Sequence, residues 1–218
     1  MGSISQYRFT DAIQTVKKLI DGGELGKIIT VNLSMQYHRT AEYYESSPWR
    51  GTWKLDGGSI MNQGIHGVDV LLYLLGDIDR VYAISRTLHH EIEAEDTTVA
   101  AVEFSCGALG VIQSTTAVNP GYPRLLTISG TKGSVRIEEE AIISCDVEDR
   151  EYLTNDLSAS DNFGYHQPMN ISNRGHLFQV NDFIHAVRNL TQPAVPLEDA
   201  SRTIRLINEI YRFSNNNL

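Results

Sequence analysis

The sequence predicts an α+β domain, an open and mostly antiparallel β-sheet with helices packed on one face and the other face free for oligomerisation. Three observations carry this. Helical apolar periodicity is concentrated near the two ends of the chain. The stretch from about 79 to 154 reads as consecutive short strands. The connections between those strands are too short for parallel crossovers. Residues 1–218 are expected to form one such domain, long enough to bury a core without disulfides or metals.

The first element is a helix over 10–22, where Ile13, Val16, Leu19 and Ile20 make one stripe and Gly22-Gly23 ends it. A strand follows over 28–37. Residues 38–58 form a polar and aromatic loop of the length that tends to carry function. Gly57-Gly58 then leads into a helix with Val68, Leu71, Leu72 and Leu75 on its apolar face, Asn62 at its N-cap and Gly76 at its end. Strands are expected near 79–88, 97–105, 109–118, 124–130, 134–138, 141–146 and 150–154, separated by turns such as Pro120-Gly121 and Gly130-Thr131-Lys132-Gly133. The free face is expected to be half-polar, with Gln113 and Thr115 opposite Ile112 and Val118. Residues 155–172, with Tyr165 and His166, read as loop. Two helices close the chain, one over 174–190 with stripe Leu177, Val180, Ile184 and Val187, the other over 198–213 with Ile204, Ile207 and Tyr211.

Composition narrows the function. A net charge of −9 argues against nucleic acid, which calls for basic patches. No apolar run approaches the length of a membrane span, and no basic stretch followed by an apolar block opens the chain, so a cytoplasmic location is expected. Cys106 and Cys145 lack CxxC spacing, and none of the seven histidines falls in HxH or HExxH, so no metal site is expected. No two of the 17 glycines are separated by a single residue, which excludes a GxGxxG dinucleotide loop; no Gly-Lys-Ser/Thr triplet or GxSxG elbow is present either.

The chemistry converges on Gly57–Asp69. His66 falls in the first turn of a helix, where the dipole disfavours imidazolium and leaves a neutral ring able to accept a proton. Such a histidine is commonly structural. Its company argues otherwise: Trp49-Arg50-Gly51-Thr52-Trp53-Lys54 stands just upstream, and Arg50 and Lys54 could hold a carboxylate or phosphate. Asn62 and Gln63 add polar groups beside the histidine, and Tyr165 is a candidate on the rim of the same pocket.

The pattern GG-x-x-x-N-x-G-x-H-x-x-D over these residues resembles the substrate-domain signature of the Gfo/Idh/MocA oxidoreductases. Gln6–Phe9, Leu19–Lys27 and the closing segment from His176 to Tyr211 are similar in the same order. The resemblance implies a two-domain enzyme in which an N-terminal Rossmann domain, absent from this chain, binds NAD or NADP and supplies a lysine. It implies that this domain contributes the sugar or polyol pocket, the acid/base His66 with Asn62, substrate contacts from Arg50, Trp53, Lys54, Gln63 and Tyr165, and an open sheet for homo-oligomerisation. Several members carry Asp where Asn62 stands. The Asn-Gln-Gly-Ile-His version is similar to members acting on sugar nucleotides or sugar acids. The alternative is a non-enzymatic sugar-binding or dimerisation module of the same fold; a metal-dependent sugar isomerase is a third reading, which requires a bound metal.

Overall fold

The computed structural model describes residues 1–148, 150–151 and 174–216, and its elements follow the apolar periods closely. A 3-10 turn, Gln6–Phe9, leads into α1 (Asp11–Asp21), whose Ala12, Ile13, Val16 and Leu19 are buried. The strands are β1 (Ile28–Gln36), β2 (Ile78–Arg86), β3 (Thr97–Phe104), β4 (Leu109–Thr115), β5 (Leu125–Gly130), β6 (Gly133–Glu138), β7 (Ala141–Val147) and the two-residue β8 (Arg150–Glu151). Two short helices, α2 (Ala41–Glu45) and α3 (Ser59–Asn62), precede α4 (Ile65–Leu75). The chain closes with α5 (Arg174–Asn189) and α6 (Leu197–Asn216).

All eight strands form one sheet in the order β2-β3-β4-β1-β5-β6-β7-β8. Every pairing is antiparallel except β1 with β4, where Leu33 stands opposite Ile112. The short connections correctly imply hairpins along β2-β3-β4 and β5-β6-β7. They say nothing of β1, which receives β4 on one edge and β5 on the other after a crossover of more than 70 residues. Residues 38–58 are expected to be loop; α2 lies within them, its five residues too few to show a helical period and none of them buried.

Alternate residues Val31, Leu33 and Met35 of β1 and Ile112 of β4 face the core, against α4 and α6. Close helix–sheet contact depends on Gly67: a Cβ there would stand 2.5 Å from the Met35 sulfur. The opposite face is uncovered and half-polar, as expected: Thr30, Asn32, Ser34 and Gln36 of β1, Gln113 of β4 and Thr127 of β5 share it with an apolar block on β2–β4. Tyr82, Ile84, Val99, Leu109 and Val111 are 43–63% exposed and line rows across β2, β3 and β4. Thr115 lies on the predicted side with Gln113, yet it is 2% exposed and shares a hydroxyl hydrogen bond with Thr97.

A second departure concerns α5. Its predicted stripe, Leu177, Val180, Ile184 and Val187, is 42–61% exposed, while Gly175, Gln179 and Ala186 face inward. The buried Gln179 amide explains the inversion: its oxygen accepts from Ser5 N at 2.9 Å and its nitrogen donates to Ser3 O, tying α5 to the first residues of the chain. In α6, Ile207 is fully buried as expected, whereas Ile204 is 43% exposed. No helix among the described residues is long and apolar enough to cross a membrane.

Candidate active site

Asn62 does not cap the long helix. It is the last residue of α3, and a break at Gln63-Gly64 separates it from α4, whose N-cap is Gly64. Backbone packing requires that glycine, since a Cβ would sit 2.9 Å from Ile60 O. The break lets one short segment present residues in two directions, and the site residues accordingly fall into two groups.

The first group is His66 and what lies behind it. Its ring meets Tyr7 edge-on at 5.7 Å, and Arg124 stacks on Tyr7 at 3.9 Å. Arg124 and Glu139 are each 6% exposed and paired at 3.6 Å, with the Arg124 amide donating to Glu139 Oε1 at 2.7 Å and a guanidinium N–H donating to Glu139 O at 2.8 Å. Glu139 holds a left-handed conformation, φ 49°, on the β6–β7 turn to make these contacts. Burial first, then the charges of Arg124 and His176, bring the His66 pKa from 6.5 down to about 4, with Asp69 opposing them. The imidazole is therefore neutral at physiological pH. His176 Nδ1 is itself buried with no hydrogen-bond partner.

The second group is a polar and aromatic network. Arg39 donates to Gln63 Oε1 at 2.7 Å, Gln63 donates to Tyr43 Oη at 3.0 Å and to Asn62 Oδ1, and Asn62 donates to Asp56 Oδ1. The other Asp56 oxygen receives the Gly51 amide at 2.7 Å, which ties Asn62 to the turn carrying Arg50. The Arg50 guanidinium lies over Tyr43 at 4.0 Å and Trp49 at 4.7 Å, and its Nε is buried without a hydrogen-bond partner. Trp53 turns away from Arg50 and packs edge-on against Tyr211 at 5.1 Å. Lys54 is exposed. Tyr165 lies outside the described residues.

The space between Tyr43, Asp56, Gly58, Asn62 and Gln63 is about 10 Å³, room for one water and not for a sugar. The larger concavity, about 490 Å³, lies on the open sheet face over Val111 and Tyr82. Size alone would place a ligand there, and Glu103 is among its lining residues, but His66 and the polar network of Asn62 and Gln63 lie on the helical side. Among the described residues, no group of three His, Cys, Asp or Glu side chains is arranged to hold a metal ion.

Sequence reasoning did not single out Tyr7, Arg124, Glu139, Arg39 or Tyr43. For Arg124 a signal exists: a lone cation heading the apolar run Leu125-Leu126 must be paired if it is buried.

Residues 13–136, more than half of the chain, match the model of the GFO/IDH/MocA C-terminal domain, and the chain belongs to that family. The WlbA dehydrogenase of Bordetella pertussis, solved in complex with NADH and UDP-GlcNAcA, is 30% identical with a TM-score of 0.85, over 100% of this chain and 61% of that one. The scyllo-inositol 2-dehydrogenase (NAD(+)) of Bacillus subtilis is 29% identical over 60% of this chain and 37% of its own length. The myo-inositol 2-dehydrogenase of Thermotoga maritima is 23% identical over 91% and 57%. The chain thus spans between about a third and three fifths of the relatives it matches.

Proposed function

We propose that this chain is the substrate-binding and catalytic domain of a cytoplasmic NAD(P)-dependent oxidoreductase acting on a hydroxyl of a sugar, polyol or sugar nucleotide, completed by an upstream Rossmann domain. The observation that carries the reading is the neutral imidazole of His66 at the mouth of α4, backed by Tyr7 and Arg124. This chain does not itself fit a dinucleotide, since no two of its glycines are separated by a single residue. The nicotinamide, held by the upstream domain, supplies the hydride acceptor. His66 takes the hydroxyl proton, while Asn62, held by Asp56 and Gln63, offers the substrate a polar contact from the neighbouring group. The isolated chain is expected to transfer no hydride.

Substrate class follows from Arg50 and Lys54. A guanidinium already stacked on two rings, with an unpartnered Nε, is suited to a carboxylate or phosphate. The WlbA relative, solved with a nucleotide sugar acid, supports the same choice. The test is a substrate panel on the whole enzyme. Arg50→Met should raise KM for an anionic sugar nucleotide about 10-fold or more and leave KM for a neutral polyol unchanged, since hydrogen bonds to charged groups contribute roughly 1.5–3 kcal/mol. Equal effects on both substrates would remove Arg50 from anion binding.

The apolar block on the β2–β4 part of the open face supports a homo-oligomer in which two sheets pack face to face. Val111→Arg, at the centre of the concavity, should convert the oligomer to monomer in light scattering. An unchanged mass would place the interface elsewhere.

A further inference from the structure

Glu95 is 2% exposed and belongs to neither group of site residues, yet both the Gly57–Asn62 segment and Trp53 depend on what it touches. Its Oε2 accepts from Ser59 Oγ at 2.6 Å. Its Oε1 accepts from the Ile60 amide at 2.9 Å and from Tyr211 Oη at 3.0 Å. Its own carbonyl receives the Ser59 amide at 2.8 Å. The Tyr211 hydroxyl in turn accepts from the Gly58 amide at 3.2 Å, and the Tyr211 ring supports Trp53. Fit is close: a Cβ on Gly58 would stand 2.2 Å from Glu95 O.

These contacts satisfy the orphan amides at the start of α3, a helix of one turn that offers no side-chain cap of its own. The neighbouring Asp96 does the same for a second turn, receiving the Leu88, His89 and His90 amides at 2.8–3.0 Å. His90 then stacks on Tyr44 at 4.7 Å, and Tyr44 meets Tyr43 at 5.1 Å. Glu95-Asp96 thus anchors, from beneath, the segment bearing Asn62 and the turn that supports the Tyr43-Tyr44 wall.

We infer that Glu95 is a positioning residue for sugar binding: through Ser59, Ile60 and Tyr211 it fixes the segment carrying Asn62 and Gln63 and the aromatic support of Trp53. Resting as it does on the oxidoreductase reading, the inference distinguishes substrate from cofactor. Displacement of Asn62 and Trp53 weakens engagement of the sugar and leaves a dinucleotide held by another domain untouched. A residue that only stabilised the fold would change neither in correctly folded molecules.

The test compares Glu95→Ala, Glu95→Gln and Tyr211→Phe in the whole enzyme, with folding checked by circular dichroism. Glu95→Ala should lower kcat/KM for the sugar by roughly 10- to 100-fold, the size expected for misplacement of a positioned group. KM for NAD(P) should stay within about twofold. Glu95→Gln should restore most of the loss, because its amide oxygen can still accept from Ile60 and Tyr211. Tyr211→Phe, a milder change that keeps the ring against Trp53, should fall between the two. Unchanged sugar kcat/KM in folded Glu95→Ala or Tyr211→Phe, or equal rises in both KM values, would overturn the inference. A second readout needs no activity: the Ile60 amide of this chain should exchange its hydrogen faster in Glu95→Ala than in Glu95→Gln, and equal protection in both would also overturn it. An enzyme with no sugar or polyol activity but with that exchange pattern would contradict the proposed function and leave the Glu95 anchor standing.

Discussion

His66→Ala in the whole enzyme should lower kcat by about 10²- to 10⁴-fold, the usual contribution of a positioned acid/base, with little change in KM for the sugar. The reasoning starts from the sequence position, one residue into α4, where the helix dipole opposes imidazolium. The fold strengthens that effect by burying the ring and placing the Arg124 cation behind Tyr7. Because kcat/KM reports the free enzyme, its dependence on His66 has a definite sign. The ring is a competent base above its lowered pKa and is lost as pH falls through about 4, well below the ordinary value of 6.5. The acid limb should therefore lie below pH 6. Replacing Arg124 by Met should move it upward, because the largest charge that disfavours imidazolium is then gone. An acid limb unmoved in Arg124→Met would separate Arg124 from the histidine. A His66→Ala enzyme of full kcat would remove His66 from the mechanism.

The second large effect concerns what holds α4 in place. Arg8 Nε and Nη2 donate to the two Asp69 oxygens at 2.7 and 2.6 Å, and Nη1 donates to Asp199 at 2.6 Å. Arg8 and Asp69 are each 4% exposed, and Thr203 adds a hydroxyl contact at 3.3 Å. One buried cation thus joins the 3-10 turn, α4 and α6. Removing Asp69 alone, as Asp69→Ala, leaves the guanidinium only half compensated and should cost about 3–5 kcal/mol, read as a lower urea midpoint with an unchanged slope. The double replacement Arg8→Met with Asp69→Leu should recover much of that loss, because no uncompensated charge remains. If Asp69→Ala shifted the midpoint by less than 1 kcal/mol, the pair would not be the clamp described here. Asp69 follows His66 by three residues, so the same clamp sets where the imidazole points.

How much of this was legible in the sequence depends on the range of the interaction. Local periods placed α1, α4, α5, α6 and β1–β7 within a few residues, because alternating or helically spaced apolar side chains report burial directly. Inserting β1 between β4 and β5 depends on long-range pairing, which no local period encodes. The exposed stripe of α5 shows the same limit: an apolar row states that a face wants to be covered without saying by what. At the site, the Gly57–Asp69 pattern points to His66, with Asn62 and Gln63 beside it in the sequence. The rest was invisible, since Tyr7 of the 3-10 turn meets Arg124, just ahead of β5, and Ile60 meets Glu95, just ahead of β3, only in the folded chain. The expectation that Asn62 caps α4 fails because the break at Gly64 leaves no mark in the apolar pattern.

The central claim is that the acid/base and the sugar pocket reside on this chain and the cofactor site does not. Its most direct test measures NAD(P) reduction by a sugar nucleotide acid, with this chain alone, with the upstream domain alone, and with the two joined in one polypeptide. Reduction only by the joined protein, abolished by His66→Ala, is the expected result. Sustained reduction by the 218 residues alone would contradict the account.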